Sequence, residues 1–255
     1  MKQLEVVPLS DKTKEIILGS LLGDGSLKIH PKYKNARFSF RHSETQKDYF
    51  LWKVSMLKEI SSNNCIFNQK SDGYSNNHKL RYQSKAIVEL TQLYNLTSKN
   101  NNLVIKRRWL NHLTALSLAI WWFDDGSLIS NGRKGVFCTD GFNQESVKIL
   151  SQYLLKVWNI KTVVAPISRK RDSKQAQYWR LWIRSTEELK KFLNIILPYT
   201  FAPSMLKKVM IMYNDRQLQQ RWISEIMKST SFSRQEVEKQ LELKKRKWKQ
   251  YQKKI

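Results

Sequence analysis

Two aspartates, Asp24 and Asp125, stand at matching places in two apolar segments and carry the strongest chemical signal in the chain. The first segment is IILGSLLGDGSL, Ile16 to Leu27, and the second is SLAIWWFDDGSL, Ser117 to Leu128. Both end in Asp-Gly-Ser-Leu, and the offset between the aspartates is 125 − 24 = 101 residues. A carboxylate at a helix C-terminus sits beside the negative end of the helix dipole, an unfavourable place for a bare charge. A divalent cation shared by the carboxylate and nearby carbonyls makes the place favourable. One Asp-Gly is an ordinary turn. Two at a constant offset, each closing an apolar helix and opening a hairpin, point to paired metal ligands. Hard oxygen donors make Mg2+ the expected ion, with Mn2+ or another divalent cation as a substitute. The glycine after each aspartate is expected to supply the left-handed residue that ends a helix.

The elements that must hold these aspartates also come twice. In the first half, Ser26 to His30 and Ala36 to Arg41 read as a hairpin around a Pro31–Asn35 turn. A Ser43/Gln46 capping box then opens a helix to about Ile60. Strand-like runs Cys65 to Lys70 and Lys79 to Ser84 follow, and a helix covers Ala86 to Tyr94. In the second half the order returns. A hairpin spans Ser127 to Thr139, a helix Asn143 to Trp158, and strands Thr162 to Ser168 and Gln177 to Arg184. A Ser185/Glu188 capping box opens the last helix and Pro198 closes it. The predicted fold is α+β: two pseudo-symmetric αββαββα repeats with antiparallel sheets, at residues 10–96 and 113–226. A polar, basic linker joins them at 97–112. Residues 227–255 form a basic helical tail, opened by Ser233/Glu236, with Val237, Leu241, Trp248, Tyr251 and Ile255 loosely on one face.

Alternation along the strands sorts side chains by face. Arg37, Ser39 and Arg41 alternate with Phe38 and Phe40; Lys79, Arg81 and Gln83 alternate with Leu80 and Tyr82. Tyr178, Arg180, Trp182 and Arg184 alternate with Trp179, Leu181 and Ile183. One face can pack under helices. The other is polar, basic and nearly free of acid, which suits the major groove of double-stranded DNA, where Arg and Gln can address base edges bidentately. Lys28, Lys70, Lys161, Arg169 and Lys170 are expected at phosphates. The whole chain agrees: 46 Lys+Arg against 21 Asp+Glu gives a formal charge of +25, an excess that calls for a polyanion. No apolar run approaches the roughly 20 residues of a membrane helix, so no membrane partner is expected. The N-terminus lacks signal and transit patterns, and two cysteines make neither a disulfide framework nor a zinc site. These features predict an intracellular protein. Its Lys/Asn/Ile-rich composition hints at an AT-rich genome, bacterial or organellar.

ILGSLLGDG (Ile17 to Gly25) and LAIWWFDDG (Leu118 to Gly126) align without gaps with the nine-letter motif of the LAGLIDADG homing endonucleases. The chain resembles the single-chain, two-motif form of that family over about residues 10 to 226. The resemblance implies that the two motif helices pack side by side on a pseudo-twofold axis. It implies that Asp24 and Asp125 bind divalent metals at the cleavage centre; Asp124 precedes the matching position and is not counted as a ligand. It also implies a lysine near the centre in each half. PYTFAPSMLKK (Pro198 to Lys208) resembles the segment that places Lys208 there, while in the first half Lys99 and Lys106 both compete for the role.

The implied function is site-specific, metal-dependent hydrolysis of both strands of a long, asymmetric DNA target by a monomer, in intron homing. Asp24, Asp125 and Lys208 would be catalytic. A rival from another class is an RNA maturase or non-cleaving DNA-binding protein of the same fold, usually with loss of one aspartate; both are present here. Glu188-Leu-Lys190 resembles the end of a restriction-type site, but falls on a predicted helix with no convincing upstream aspartate.

Overall fold

The computed structural model describes residues 8–69, 78–130, 132–168 and 177–252, with side chains as far as residue 247. The first motif helix, α1 (Asp11–Leu21), is capped by Ser10, whose hydroxyl accepts from the Thr13 amide. Strands β1 (Ser26–Lys28) and β2 (Arg37–Ser43), helix α2 (Lys47–Met56), strands β3 (Ile66–Gln69) and β4 (Lys79–Gln83) and helix α3 (Val88–Thr97) complete the first half. The second half repeats the order with α5 (Ala115–Asp125), β7 (Gly126–Ile129), β8 (Lys134–Phe137), α6 (Gln144–Trp158), β9 (Val163–Ser168), β10 (Gln177–Ile183) and α7 (Thr186–Ile196). Between them lie a two-strand hairpin, β5 (Ser98–Lys99) and β6 (Asn102–Leu103), and the short helix α4 (Arg107–Leu110). The hairpin turns on Asn100 and Asn101, both with positive φ, a conformation asparagine tolerates better than most residues. After α7 the chain adds α8 (Leu206–Val209), α9 (Arg216–Ser229) and α10 (Arg234–Gln252).

Each half builds one antiparallel four-stranded sheet, in the orders β1-β2-β4-β3 and β7-β8-β10-β9. The alternation sets their faces: Phe38, Phe40, Leu80 and Tyr82 are buried on one side of the first sheet, and Phe137, Leu181 and Ile183 on that of the second. Registers align the opposite faces, pairing Ser39 with Gln83 and Arg41 with Arg81. Helices α1 and α5 run through the middle of the core, where Ile17, Leu18, Leu118, Ile120, Trp121 and Trp122 are at most 1% exposed. They meet at Gly19: a Cβ there would lie 2.4 Å from the Ser117 carbonyl oxygen. Ser117 Oγ in turn donates to the Glu15 carbonyl at 2.9 Å.

Three local expectations need correction. Neither motif glycine is left-handed; Gly126 has φ −77° and ψ 148°. What excludes a side chain is proximity, because a Cβ on Gly25 would lie 2.6 Å from Ser20 Cβ and one on Gly126 2.2 Å from the Trp122 ring. Ser43 opens a 3-10 turn, accepting from the Thr45 amide, and α2 starts only at Lys47. Ser185 does cap α7, but the Glu188 carboxylate takes the Lys161 amide and so does not reach back to Ser185. The Ser233/Glu236 box is reciprocal, each side chain accepting from the other's amide. Helix α10 docks by Val237 and Leu241; Trp248, Tyr251 and Ile255 lie outside the described side chains. Among the described residues, no helix is long and apolar enough to cross a membrane.

Candidate active site and DNA interface

Asp24 ends the turn after α1, and its side chain is 39% exposed. His42, buried on β2, places Nδ1 3.2 Å from Asp24 Oδ2. The Asp24 amide donates across the molecule to Asp124 Oδ2 at 3.3 Å. The Asp124 side chain is fully buried, and Lys53 on α2, whose side chain is also 0% exposed, donates to both of its oxygens at 2.8 and 3.1 Å. Tyr49 donates its hydroxyl to Asp124 Oδ1 at 2.8 Å, and the Lys53 ammonium lies 4.5 Å from the centre of the Phe40 ring. Burial alone would raise the Asp24 pKa, but His42, Lys53 and Lys208 outweigh it and hold the carboxyl below its ordinary value. Asp125 differs. Burial, then the nearby charges of Asp24 and Asp124, push its carboxyl up to about 7, and it receives no hydrogen bond among the described residues.

Lys208 on α8 reaches the same place. Its ammonium donates to the Phe123 and Asp124 carbonyls at 2.5 and 3.0 Å, the negative end of the α5 dipole. Burial lowers its pKa, against the opposing pull of Asp124, Asp24 and Asp125. The segment is fixed at every carbonyl from residue 207 to 210. Trp122 Nε1 donates to Lys208, Trp222 Nε1 to Val209, and the Lys244 ammonium to Lys207 and Met210. So α5, α9 and α10 together hold the segment that carries Lys208.

Burial pushes Lys244 down to about 7. Below that pH the lysine is charged in both folded and unfolded chains; between about 7 and the unfolded value near 10.4, the unfolded chain binds more protons. Lys244 therefore makes stability rise with pH across that window. Lys244→Met is expected to give a shallower rise than the wild type, read from urea midpoints at about pH 7 and about pH 9.5. Parallel profiles would mean that Lys244 keeps an ordinary pKa.

The strand residues fall where alternation puts them. Arg37, Ser39, Lys79 and Gln83 are half-buried and Arg41 and Arg81 exposed, on the side of the sheet away from the buried aromatics. Arg37 lies over the Tyr33 ring at 4.1 Å. On β10, Tyr178, Arg180 and Trp182 are half-buried, and Arg184 just beyond is exposed. Arg180 is not a free reader: it donates to both Asp140 oxygens at 2.6 and 2.7 Å, so a base contact must exchange that partner. Lys28 and Lys161 are exposed, and Lys70, Arg169 and Lys170 lie outside the described residues. Gly23, Lys28, Asp125, Asp140 and Arg180 line one open cleft, which brings Lys28 and Arg180 to the same space as Asp125.

Lys99 and Lys106 are both exposed, and neither has a described contact with the aspartates. The lysine that the first half does bring to the centre is Lys53. Its signal was present in the sequence, since it shares the apolar stripe of Tyr49 and Phe50 on α2, with Leu57 at the C-cap, at i+3/i+4 spacing. Asp124 carried one too, as an acid inside an otherwise apolar helix.

The comparisons with known proteins agree with this architecture. The model of the LAGLIDADG DNA endonuclease family matches residues 14–192. The chain is 28% identical over 228 residues to Protein RecA of Mycobacterium gastri, covering 82% of this chain and 50% of that one. It is 27% identical over 212 residues to the cytochrome b mRNA maturase bI2 of Saccharomyces cerevisiae, covering 79% and 48%. It thus spans about half the length of these curated relatives. The solved homing endonuclease I-WcaI bound to its DNA recognition sequence shares the fold, with a TM-score of 0.66, 23% identity, and coverage of 81% of this chain and 88% of that one. Two motif helices meeting at Gly19, two four-stranded sheets and a family match across most of the chain lead to one conclusion: the chain belongs to the LAGLIDADG DNA endonuclease family.

Proposed function

We propose that the protein is a site-specific endonuclease that hydrolyses one phosphodiester in each strand of a long, asymmetric double-stranded DNA target, acts as a monomer, and serves intron homing. The repeats at 10–96 and 113–226 would each take one half-site. The observation that carries the reading is the convergence of Asp24, Asp125 and Lys208, whose charges act on one another, beside a cleft that Asp125, Lys28 and Arg180 line. The residues fit a divalent cation. Asp24 and Asp125 offer hard oxygen donors, and Asp125 is crowded by two further carboxylates and pushed to about 7, a repulsion that a divalent charge would relieve. Asp124 is a poorer ligand, because Lys53 and Tyr49 already occupy both its oxygens.

Asp24 and Asp125 would hold Mg2+, or Mn2+ in its place. The bound ion would supply an activated water and stabilise charge on the attacking and leaving oxygens. The chain's own residues do the rest. His42 would orient the Asp24 carboxylate, and Lys208 would bring positive charge close to both aspartates, where a phosphate gains negative charge. Arg37, Arg41, Arg81, Gln83 and Arg184 would read base edges or phosphates from the sheet faces, and the tail adds charge. The compartment would be intracellular, a bacterial cytoplasm or an organelle. A second reading, RNA maturation, draws on the likeness to the cytochrome b mRNA maturase; the intact aspartate pair favours cutting.

Incubating the protein and magnesium with a randomised duplex library, then sequencing the ends, is expected to recover one long target cut on both strands. Binding to it should weaken steeply with salt, with a log–log slope of roughly −0.9 per phosphate neutralised. No enriched cut, with affinity flat in salt, would overturn the reading.

A further inference from the structure

The two motif ends are alike in sequence but not in support. An offset of 101 relates the motif helices, so the counterpart of Asp124 is Gly23. The first hairpin pairs Ser26 with Ser39 and the second pairs Ser127 with Val136, an offset of 136 − 39 = 97 for the following strands. Helices α2 and α6 keep it, starting at Lys47 and Gln144. His42 therefore corresponds to Thr139, and Lys53 to Leu150.

Neither counterpart reaches a motif carboxylate. Thr139 spends its hydroxyl on the Trp179 carbonyl at 2.7 Å, and Leu150 is ordinary core at 0% exposure. Gly23 could not repeat Asp124 in any case, since a Cβ on it would lie 2.4 Å from Asp124 Cβ. One carboxylate fills the space between both helix ends. Its second-half counterpart shows that an aliphatic side chain is acceptable at the Lys53 position of this fold. A buried ion pair costs more desolvation than a well-packed apolar pair and is often neutral or worse for stability. Filling the core therefore does not explain Lys53 and Asp124. Their placement does: Lys53 and Tyr49 hold Asp124, Asp124 receives the Asp24 amide, and His42 meets the Asp24 carboxylate. Asp125 has no such set among the described residues.

We propose that Lys53, Tyr49 and Asp124 are positioning residues for Asp24 alone, so that the two cleavage centres are unequal and the strand served by Asp24 is cut first. This rests on the endonuclease reading above. Preorganisation is the reason for the order: a carboxylate already fixed needs no rearrangement when substrate arrives. Asp125 must be ordered by the substrate complex itself, and its strand follows.

The test uses the full chain, magnesium and a linear target duplex with a different dye on each strand, quenched over time and resolved on denaturing gels. The wild type is expected to accumulate a nick in one strand before the other is cut. The double variant Lys53→Leu with Asp124→Ala removes both buried charges together and is expected to fold with a similar melting temperature. It should slow that same strand by about 10–100-fold, with a smaller effect on the other. Tyr49→Phe keeps the ion pair, removes one hydrogen bond to Asp124, and should slow the same strand by a smaller factor; it carries the test if the double variant does not fold. Equal strand rates in the wild type, or variants that slow both strands alike, would overturn the inference while leaving the endonuclease reading intact. A wild type that cuts neither strand of any target would overturn both.

Discussion

Asp24→Asn or Asp125→Asn is expected to lower double-strand cleavage by about three orders of magnitude or more, equivalent to about 4 kcal/mol of transition-state stabilisation. Specific DNA binding should survive, because the sheet faces lie apart from the motif ends. Asparagine keeps the shape but loses the charge that holds a divalent ion, so the loss should appear in the rate rather than in affinity. The two variants should also part company in stability when metal is chelated. Asp24 has a lowered pKa, so its charge stabilises the fold above its unfolded value, and that contribution fades as pH falls. Asp125 titrates near 7, so between the unfolded value near 3.9 and about 7 the folded chain binds the extra proton and stability falls as pH rises. Above about pH 7 in chelator, Asp125→Asn should therefore melt higher than the wild type and Asp24→Asn lower. Full cleavage by either variant would remove that aspartate from the catalytic assignment, and equal melting shifts would show that the carboxylates are not distinguished as described.

Gly19→Val should have the largest effect on folding. The first atom of any side chain at this position would stand 2.4 Å from the Ser117 carbonyl oxygen and 2.9 Å from Ser117 Cα, both backbone atoms of a buried helix. Neither can turn aside as a flexible side chain could, so α1 and α5 must separate. Overpacking of a core usually costs about 1–3 kcal/mol, and a clash between backbones belongs at or above the upper end. Separation would also pull Asp24 away from Asp124, breaking the contact between its amide and the Asp124 carboxylate. Loss of stability measured by urea unfolding should be accompanied by loss of cleavage at temperatures where the variant is still folded. A Gly19→Val protein as stable and active as the wild type would show that the helices do not meet here.

The repeat, the sheet faces and the helix-end aspartates were legible in the sequence because each is written locally. A helix announces itself within four residues, a strand within two, and a duplication by direct comparison of 101-residue offsets. The buried Phe38, Phe40 and Tyr82 follow from alternation alone. Charge partners separated in sequence were not legible. Lys53 and Asp124 are 71 residues apart, and Arg180 and Asp140 are 40. Their pairing depends on how the two halves dock and on the sheet's register, which local pattern does not encode. Read locally, Lys53 shows only its place on an apolar stripe, and enclosure beside Tyr49 and Phe40 is what gives it one fixed partner. The motif glycines mark the same divide. Their presence was plain, but the reason for it is the carbon atom they lack, which a neighbour occupies: Ser20 beside Gly25 and the Trp122 ring beside Gly126. Sequence alone determined the chemistry available and the elements to carry it. Tertiary packing decided which of two equal-looking aspartates is held in place, because one small space between two helix ends admits a single carboxylate.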